Sequence, residues 1–469
     1  MPSAVINMRV VGMGILILLI SLLMASVGLI GSLALLTIPP ICYFLIISFR
    51  KPELILYTVL VVAFLISMLS RYIPGIPFGL TVDALLLLLV IALIFHKGYK
   101  SENHQRNNTL VGALAMWLFF SIAMIFNPQA SSTAAWVYAN RGLSFYPILF
   151  VILVLHTING EKQLFNFLLI WAVFSVFGTF WGIKQLLLGV SLTEQIWLNN
   201  GAASTHILFG KLRVFSYFSD SAQFGANQAH TALVFGIIGL YNQGRKMQIV
   251  SLIVAALALY GMLISGTRGV LAVLAIGGFT YLIMTKNFRI IVLGLMVAIG
   301  CFVFLKYTSI GQSNYQINRM RTALDFDDPS LKVRQDRVKT LSNYLSDKPI
   351  GGGIGSAGFW GNRFTPGTFL AEIGTDGHYT RIWMETGIIG LYLYIASLII
   401  IILYLGRLLW RMKNGRKRQI LLAFYCGFVG LCAASYTNGL ITQFPTGALT
   451  FASLGFVYLG VKGKISSKI

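Results

Sequence analysis

GGGIGSAGFWGNRFTPGTFLAEIGTDGHYTRIWMETGIIG, residues 351–390, closes the longest polar interval of the chain and leads straight into an apolar segment at 382–410. A segment of that length and apolarity crosses a bilayer. At its mouth stand Glu372, Asp376, Glu385, His378, Arg363 and Arg381, with Trp360, Tyr379, Trp383 and a cluster of glycines. Polar groups are costly near hydrocarbon, so their concentration at the mouth of a span marks a candidate site. Singly, each has a plainer explanation: Tyr379 and Trp383 as an interfacial belt, Gly387 and Gly390 as packing positions, the charges as solvated groups. As a group they read as functional.

The remainder of the 469 residues is similar in character, 57% hydrophobic and 11% charged, with a mean hydropathy of +0.78. No soluble core needs so much apolar sequence. The expected fold is all-α, a polytopic transmembrane helical bundle of about 12–14 spans with a large outer-face loop containing short helices. Two short spans fit in 11–49, a region too long for a signal-peptide core. Others are read at 53–69, 80–95, 110–126, 140–155, 164–187, 223–241, 249–265, 270–284, 290–305, 382–410, 420–435 and 448–461, with 127–139 as a short loop. Three parts follow: helices with outer-face arginine motifs over 1–305, a large loop over 306–380, and C-terminal helices over 381–469. Within the loop, Asp328 and Pro329 open an amphipathic helix whose apolar face carries Leu331, Val338, Leu341 and Leu345.

The net charge of +22 would suit nucleic acid in a soluble protein, but this class excludes that reading. With even parity, 20 of the 36 basic residues fall on one side, mostly in short loops, and that side is assigned as cytoplasmic. The others cluster in the two longest outer loops and at the membrane-edge positions Arg71, Arg141, Lys184 and Arg268. Insertion rules do not require cations there, whereas an anionic ligand would. The cysteines Cys42, Cys301, Cys426 and Cys432 lie in apolar runs and read as small core residues. The histidines are scattered, so neither a metal site nor a cofactor is expected. His230, deep in its span, reads as a satisfied interhelical hydrogen bond. The GxGxxG match at Gly353–Gly358 follows no strand, so its glycines are read as letting the backbone approach a sugar or diphosphate.

Arg268, in SGTRG between two spans with almost no loop, adds no topological signal. Arg213, in LRVFSYFSDSAQFG, precedes a helix N-terminus on the same face, and Arg141 opens another span in VYANRGLSFYPILF. Guanidinium groups bind phosphate bidentately and keep their charge, so these arginines suit a lipid diphosphate. Arg319 and Arg321 are further candidates.

These motifs resemble the O-antigen ligase and polymerase family of membrane glycosyltransferases, over most of the chain. The family's late motif starts with a histidine and reaches Glu-x-Gly-x-x-Gly nine residues later. Glu385-Thr-Gly387-Ile-Ile-Gly390 fits, but the histidine position holds Asp376, and His378 stands two residues on. The resemblance implies metal-independent, inverting transfer of a glycan from undecaprenyl diphosphate to an acceptor hydroxyl at the periplasmic face of the bacterial inner membrane. The acceptor would be lipid A core or a similar glycolipid in a ligase, or another lipid-linked repeat in a polymerase. It also implies the partners: the lipid-linked glycan, the glycolipid or glycan acceptor, and membrane lipids. Arg141, Arg213, Arg268, Arg319, Arg321, Arg381 and Tyr379 are expected to bind substrate. Asp376, His378 and Glu385 are the catalytic candidates, Asp376 in the histidine's place with His378 as partner; pinning the loop to Arg381 is the alternative role for Asp376. The competing classes are a lipid-linked glycan transporter, which needs polar groups along a whole crossing path, and a membrane scaffold.

Overall fold

The computed structural model describes residues 37–95, 108–208, 210–241, 244–310, 312, 315–321, 329–374 and 377–464. Among them nine helices are long and apolar enough to cross a membrane, with three shorter apolar helices beside them. The protein is an all-α, multi-pass membrane protein. Its first helices are α1 (Thr37–Arg50), α2 (Glu53–Tyr72), α3 (Gly79–Phe95), α4 (Thr109–Ala123), α5 (Thr133–Asn140), α6 (Tyr146–Thr157) and α7 (Glu161–Leu187). The next connection holds α8 (Leu192–Trp197), α9 (Ala203–His206) and a hairpin pairing Ile207–Leu208 with Lys211–Leu212. Then come α10 (Ser221–Leu240), α11 (Arg245–Ile264), α12 (Leu271–Thr285) and α13 (Phe288–Tyr307). The long connection folds into α14 (Tyr315–Arg321), α15 (Pro329–Leu345), α16 (Gly358–Phe364) and α17 (Phe369–Glu372), followed by α18 (His378–Arg411), α19 (Arg416–Ala434) and α20 (Thr446–Val461).

Every span read between 53 and 461 coincides with a helix. Of the two read in 11–49, only α1 falls among the described residues. The 127–139 segment is not all loop. Ser132 accepts from the Ala135 N–H at 3.2 Å, and the helix it caps runs through a π-turn at Arg141–Phe145 into α6.

α10, α19 and α20 form the centre. α10 buries 17 of its 20 residues, so it can carry polar side chains that lipid would not tolerate. Gln228 takes a 2.8 Å bond from Ser175 Oγ and donates to the Ser175 carbonyl at 2.9 Å, and Trp171 donates to Thr231 at 2.8 Å. His230 is a correction. Among the described residues neither ring nitrogen has a hydrogen-bond partner; the ring instead packs against Trp171 and fills the space left by Gly427. α13, by contrast, is strongly apolar and buries none of its residues, as suits a lipid-facing helix. Cys426 and Cys432 are core residues as expected, whereas Cys42 and Cys301 are exposed on apolar helices.

At the end carrying the short connections, Arg418 is buried and donates to Leu409 O, Asn414 Oδ1 and Met284 O, tying α12 and α18 to α19. The opposite end carries the long connections. There α15 buries Leu341 and Leu345, and Leu341, Ala357, Leu370 and Met384 form a small separate core that seats the connection on α18. Val338, expected on the same buried face, is exposed.

Candidate active site at the arginine end

The SGTRG segment forms a tight turn, with Arg268 opening a short 3-10 helix, Arg268–Val270. Two arginines from distant parts of the chain converge on it. Arg213, just past the hairpin, donates Nη2 to Thr267 Oγ1 at 3.1 Å and Nη1 to the Thr205 carbonyl at 3.2 Å. Arg319, from α14, donates Nε to the Gly266 carbonyl at 2.5 Å. Burial, and next the neighbouring Arg319, push the Arg213 guanidinium below its ordinary value, with Arg268 adding to the repulsion and Asp220 opposing it. Asp220 itself caps α10, accepting from the Ala222 and Gln223 N–H groups at 2.8 and 2.9 Å. Three guanidinium groups around one turn, at a helix N-terminus, form a locus that favours an anion.

The second element is a broken helix. α18 runs from His378 to Arg411, but Gly387 at φ 66°, ψ −170° interrupts it. The break frees backbone carbonyls, and the glycine loop takes them up: Gly352 N–H donates to Met384 O and Gly353 N–H to Glu385 O, both at 2.9 Å. A Cβ at Gly351 would lie 2.4 Å from the Gly387 nitrogen, and one at Gly387 would lie 2.1 Å from the Pro349 carbonyl. The GxGxxG glycines read as approaching a ligand instead approach protein: Gly353 meets Ala130 and Gly355 meets the Ala135 carbonyl. Beside the break, Glu385 is fully buried and Arg381 Nε donates to its Oε1 at 2.8 Å. His378 is also buried, its ring Nε2 2.9 Å from the Tyr394 hydroxyl and its backbone N–H donating to the Ser435 carbonyl at 2.9 Å. Tyr379 donates its hydroxyl to the Cys432 carbonyl at 2.8 Å.

One connection touches both elements. Gly269 of the arginine turn packs so closely on Thr437 that a Cβ there would lie 1.9 Å from its Oγ1, and a Cβ at Gly377 would lie 2.2 Å from the Tyr436 carbonyl. The α19–α20 connection therefore separates the arginine turn from the start of α18 by only a few residues. Asp376 lies outside the described residues.

Residues 253–395 match the O-antigen ligase family. They include the arginine turn, α14, the glycine loop and the break in α18. The chain is also similar to an O-antigen polymerase of Salmonella muenchen, 28% identical over 204 residues that cover 40% of this chain and 47% of the relative. The match thus spans about half of that relative's length. Both matches point to the O-antigen ligase and polymerase family. Within the O-antigen ligase segment lie Arg268, Arg319, Arg321 and the α18 candidates; Arg141 and Arg213 lie outside it.

The other expected cations have partners of their own. Arg71 is buried between Trp197 and Phe215, 4.2 and 4.7 Å from their centroids, and donates to the Phe218 carbonyl at 2.6 Å. Lys184 pairs with buried Glu194 at 3.5 Å. Both were read as pointing to a ligand, and both instead hold the 188–220 connection. Arg321 donates to the Ile310 carbonyl at 2.6 Å, away from the turn that Arg319 joins. Arg141 pairs with Asp83, which also accepts from the Tyr146 hydroxyl. Signals for two of these partners stood in the sequence. Asp83 is an ionisable residue in an apolar run, and Ser191 with Glu194 spells a capping box. Tyr394 and Thr437 gave no such signal.

The Arg141–Asp83 pair yields a prediction. Arg141→Ala and Asp83→Ala each lower stability by about 1–3 kcal/mol, and the double variant costs less than their sum. Additive losses in denaturation of the purified protein would show that the two side chains do not act as a pair.

Proposed function

We propose that the chain transfers a glycan from undecaprenyl diphosphate to an acceptor hydroxyl at the periplasmic face of the bacterial inner membrane. The observation that carries this reading is the convergence of Arg213 and Arg319 on the turn that bears Arg268. These fixed donors take the diphosphate and stabilise the charge that grows on it as the glycosidic bond breaks. The acceptor oxygen bonds to the anomeric carbon on the face opposite the diphosphate. The carbon–oxygen bond to phosphate breaks, its electron pair leaves with undecaprenyl diphosphate, and the configuration inverts. The acceptor proton passes to a base at the start of α18. The guanidinium groups supply the charge stabilisation, so no metal is assigned a part.

Arg381, partly exposed beside Glu385, is assigned to the substrate side of α18, and Tyr379 to fixing that helix against α19. Arg141, paired with Asp83, and Arg321, bonded to the Ile310 carbonyl, are assigned to substrate contacts outside the arginine turn. The acceptor is read as lipid A core or a similar glycolipid. Growth of a lipid-linked repeat is the second reading, favoured by the name of the Salmonella relative.

Purified protein in nanodiscs, given lipid-linked glycan with lipid A core or with lipid-linked glycan alone, tests this. A glycosylated lipid A core supports ligation, and a longer lipid-linked chain supports polymerisation. Donor binding without transfer to either would sink the reading.

The base is tested by Asp376→Asn and His378→Gln. His378 is already bonded to Tyr394, so His378→Gln is expected to retain more transfer than Asp376→Asn, with donor binding kept in both. The reverse order would give the proton to His378, and normal transfer in both would direct attention to Glu385.

A further inference from the structure

Directly after the glycine loop that fills the α18 break stands a third feature, a platform of aromatic rings. Trp360 and Phe364 of α16 lie nearly parallel to Tyr138 of α5, with centroids 5.1 and 5.4 Å from it and interplanar angles of 30° and 26°. Phe359 meets Trp360 edge-on at 77° and is 67% exposed, so it forms a wall beside a floor. Arg363 is exposed, its guanidinium 5.8, 5.9 and 5.4 Å from the Tyr138, Trp360 and Phe364 centroids.

We propose that this platform is a binding subsite for the pyranose chain of a glycan, with the rings stacking on sugar and Arg363 reaching its hydroxyl or carboxylate groups. The proposal rests on the glycan-transfer reading above. A pyranose presents an apolar C–H face and a hydroxyl rim. The negative face of an aromatic ring suits the first, and a guanidinium fork suits the second.

Three observations favour sugar over lipid as the occupant. An exposed arginine among the rings is poorly suited to hydrocarbon. The rings are gathered around one guanidinium rather than spread along a membrane boundary. The platform also adjoins the broken helix of the candidate site. Arg141 stands 4.8 Å from the Tyr138 centroid, and α16 follows directly on the loop that fills the α18 break. α16 packs tightly on the turn before it, where a Cβ at Gly361 would lie 2.3 Å from the Ser356 carbonyl.

The probe is oligosaccharide released by mild acid from the lipid-linked pool of the producing cells, titrated into the purified full chain in nanodiscs. Tryptophan emission is read against Trp360→Phe, which retains an aromatic ring and removes only the signal of that indole. Phe359→Ala and Arg363→Ala replace exposed side chains and keep the fold. Each is expected to weaken oligosaccharide binding by about tenfold and to raise KM for transfer by a like factor, with kcat within about twofold. Unchanged binding and KM in both variants overturns the proposal. So does quenching of Trp360 by brominated phosphatidylcholine in the nanodisc without any response to oligosaccharide, which would place the platform in the bilayer. If the wild-type chain binds oligosaccharide at the platform but transfers nothing, the transfer reading fails and the subsite stands. If it transfers normally while the platform variants behave as wild type, the reverse holds.

Discussion

Arg268→Lys is expected to lower glycan transfer on the order of 10²–10³-fold at normal protein level, although it keeps the charge. The reason is geometric. Arg268 opens a short 3-10 turn whose next residue, Gly269, sits against Thr437, so the backbone beneath the guanidinium has little freedom to move. Lysine at that point offers a single ammonium on a flexible stem, which cannot present two parallel donors to a phosphate. The loss should appear in kcat as much as in KM, because a group aimed at charge developing on the leaving diphosphate acts mainly in the transition state. Arg213→Lys should resemble it with an added penalty, since the two bonds that Arg213 makes to Thr267 and the Thr205 carbonyl would also be lost. Steady-state transfer by purified variants, with donor binding measured separately, is the check. Full activity in Arg268→Lys would remove the bidentate role, and full activity in Arg268→Ala would remove the residue from the site.

The same turn shows what the sequence could and could not disclose. Spans are legible because the signal is local: a run of apolar residues long enough for a bilayer is helical wherever its partners lie. Even α10, with Gln223, Asn227, Gln228 and His230 along it, could be read as a span. Its burial on nearly every side, which makes those residues tolerable, is a tertiary property. The arginines were legible as a class, because cations at the ends of spans on that side need a reason. Which of them had an internal one was not. Arg71 finds carbonyls of Ser216 and Phe218, far along the chain, and Lys184 finds Glu194 only because α8 folds back on α7. Arg319 and Arg321 are two residues apart, yet one meets the Gly266 carbonyl and the other the Ile310 carbonyl. The glycine loop was misread for the same reason. Glycines allow close approach, but the sequence does not say to what, and here the neighbour is the broken helix.

Gly387→Ala is therefore expected to be a severely damaging substitution despite its small size. Alanine would have to adopt φ near 66° with ψ near −170°, a region that is essentially glycine's alone and costs about 1–3 kcal/mol. Its methyl group would also sit 2.1 Å from the Pro349 carbonyl, a clash that backbone on both sides makes hard to relieve. Two relaxations are open. If α18 straightens, the Met384 and Glu385 carbonyls lose their bonds from Gly352 and Gly353, and Ile389 N–H loses its 3.3 Å bond to Pro349. If the glycine loop withdraws, α16 and the cover over Glu385 go with it, leaving a buried carboxylate with less to face than before. Glu385→Gln separates these consequences. It removes the ion pair with Arg381 but keeps the break, so it should cost activity more than the order of the loop. Gly387→Ala should instead expose the 349–357 segment to proteolysis and hydrogen exchange, and transfer should fall with it. Protection of that segment at the wild-type level in Gly387→Ala would mean that the break is not what holds the loop, and that the contacts of α15 with α18 carry it alone.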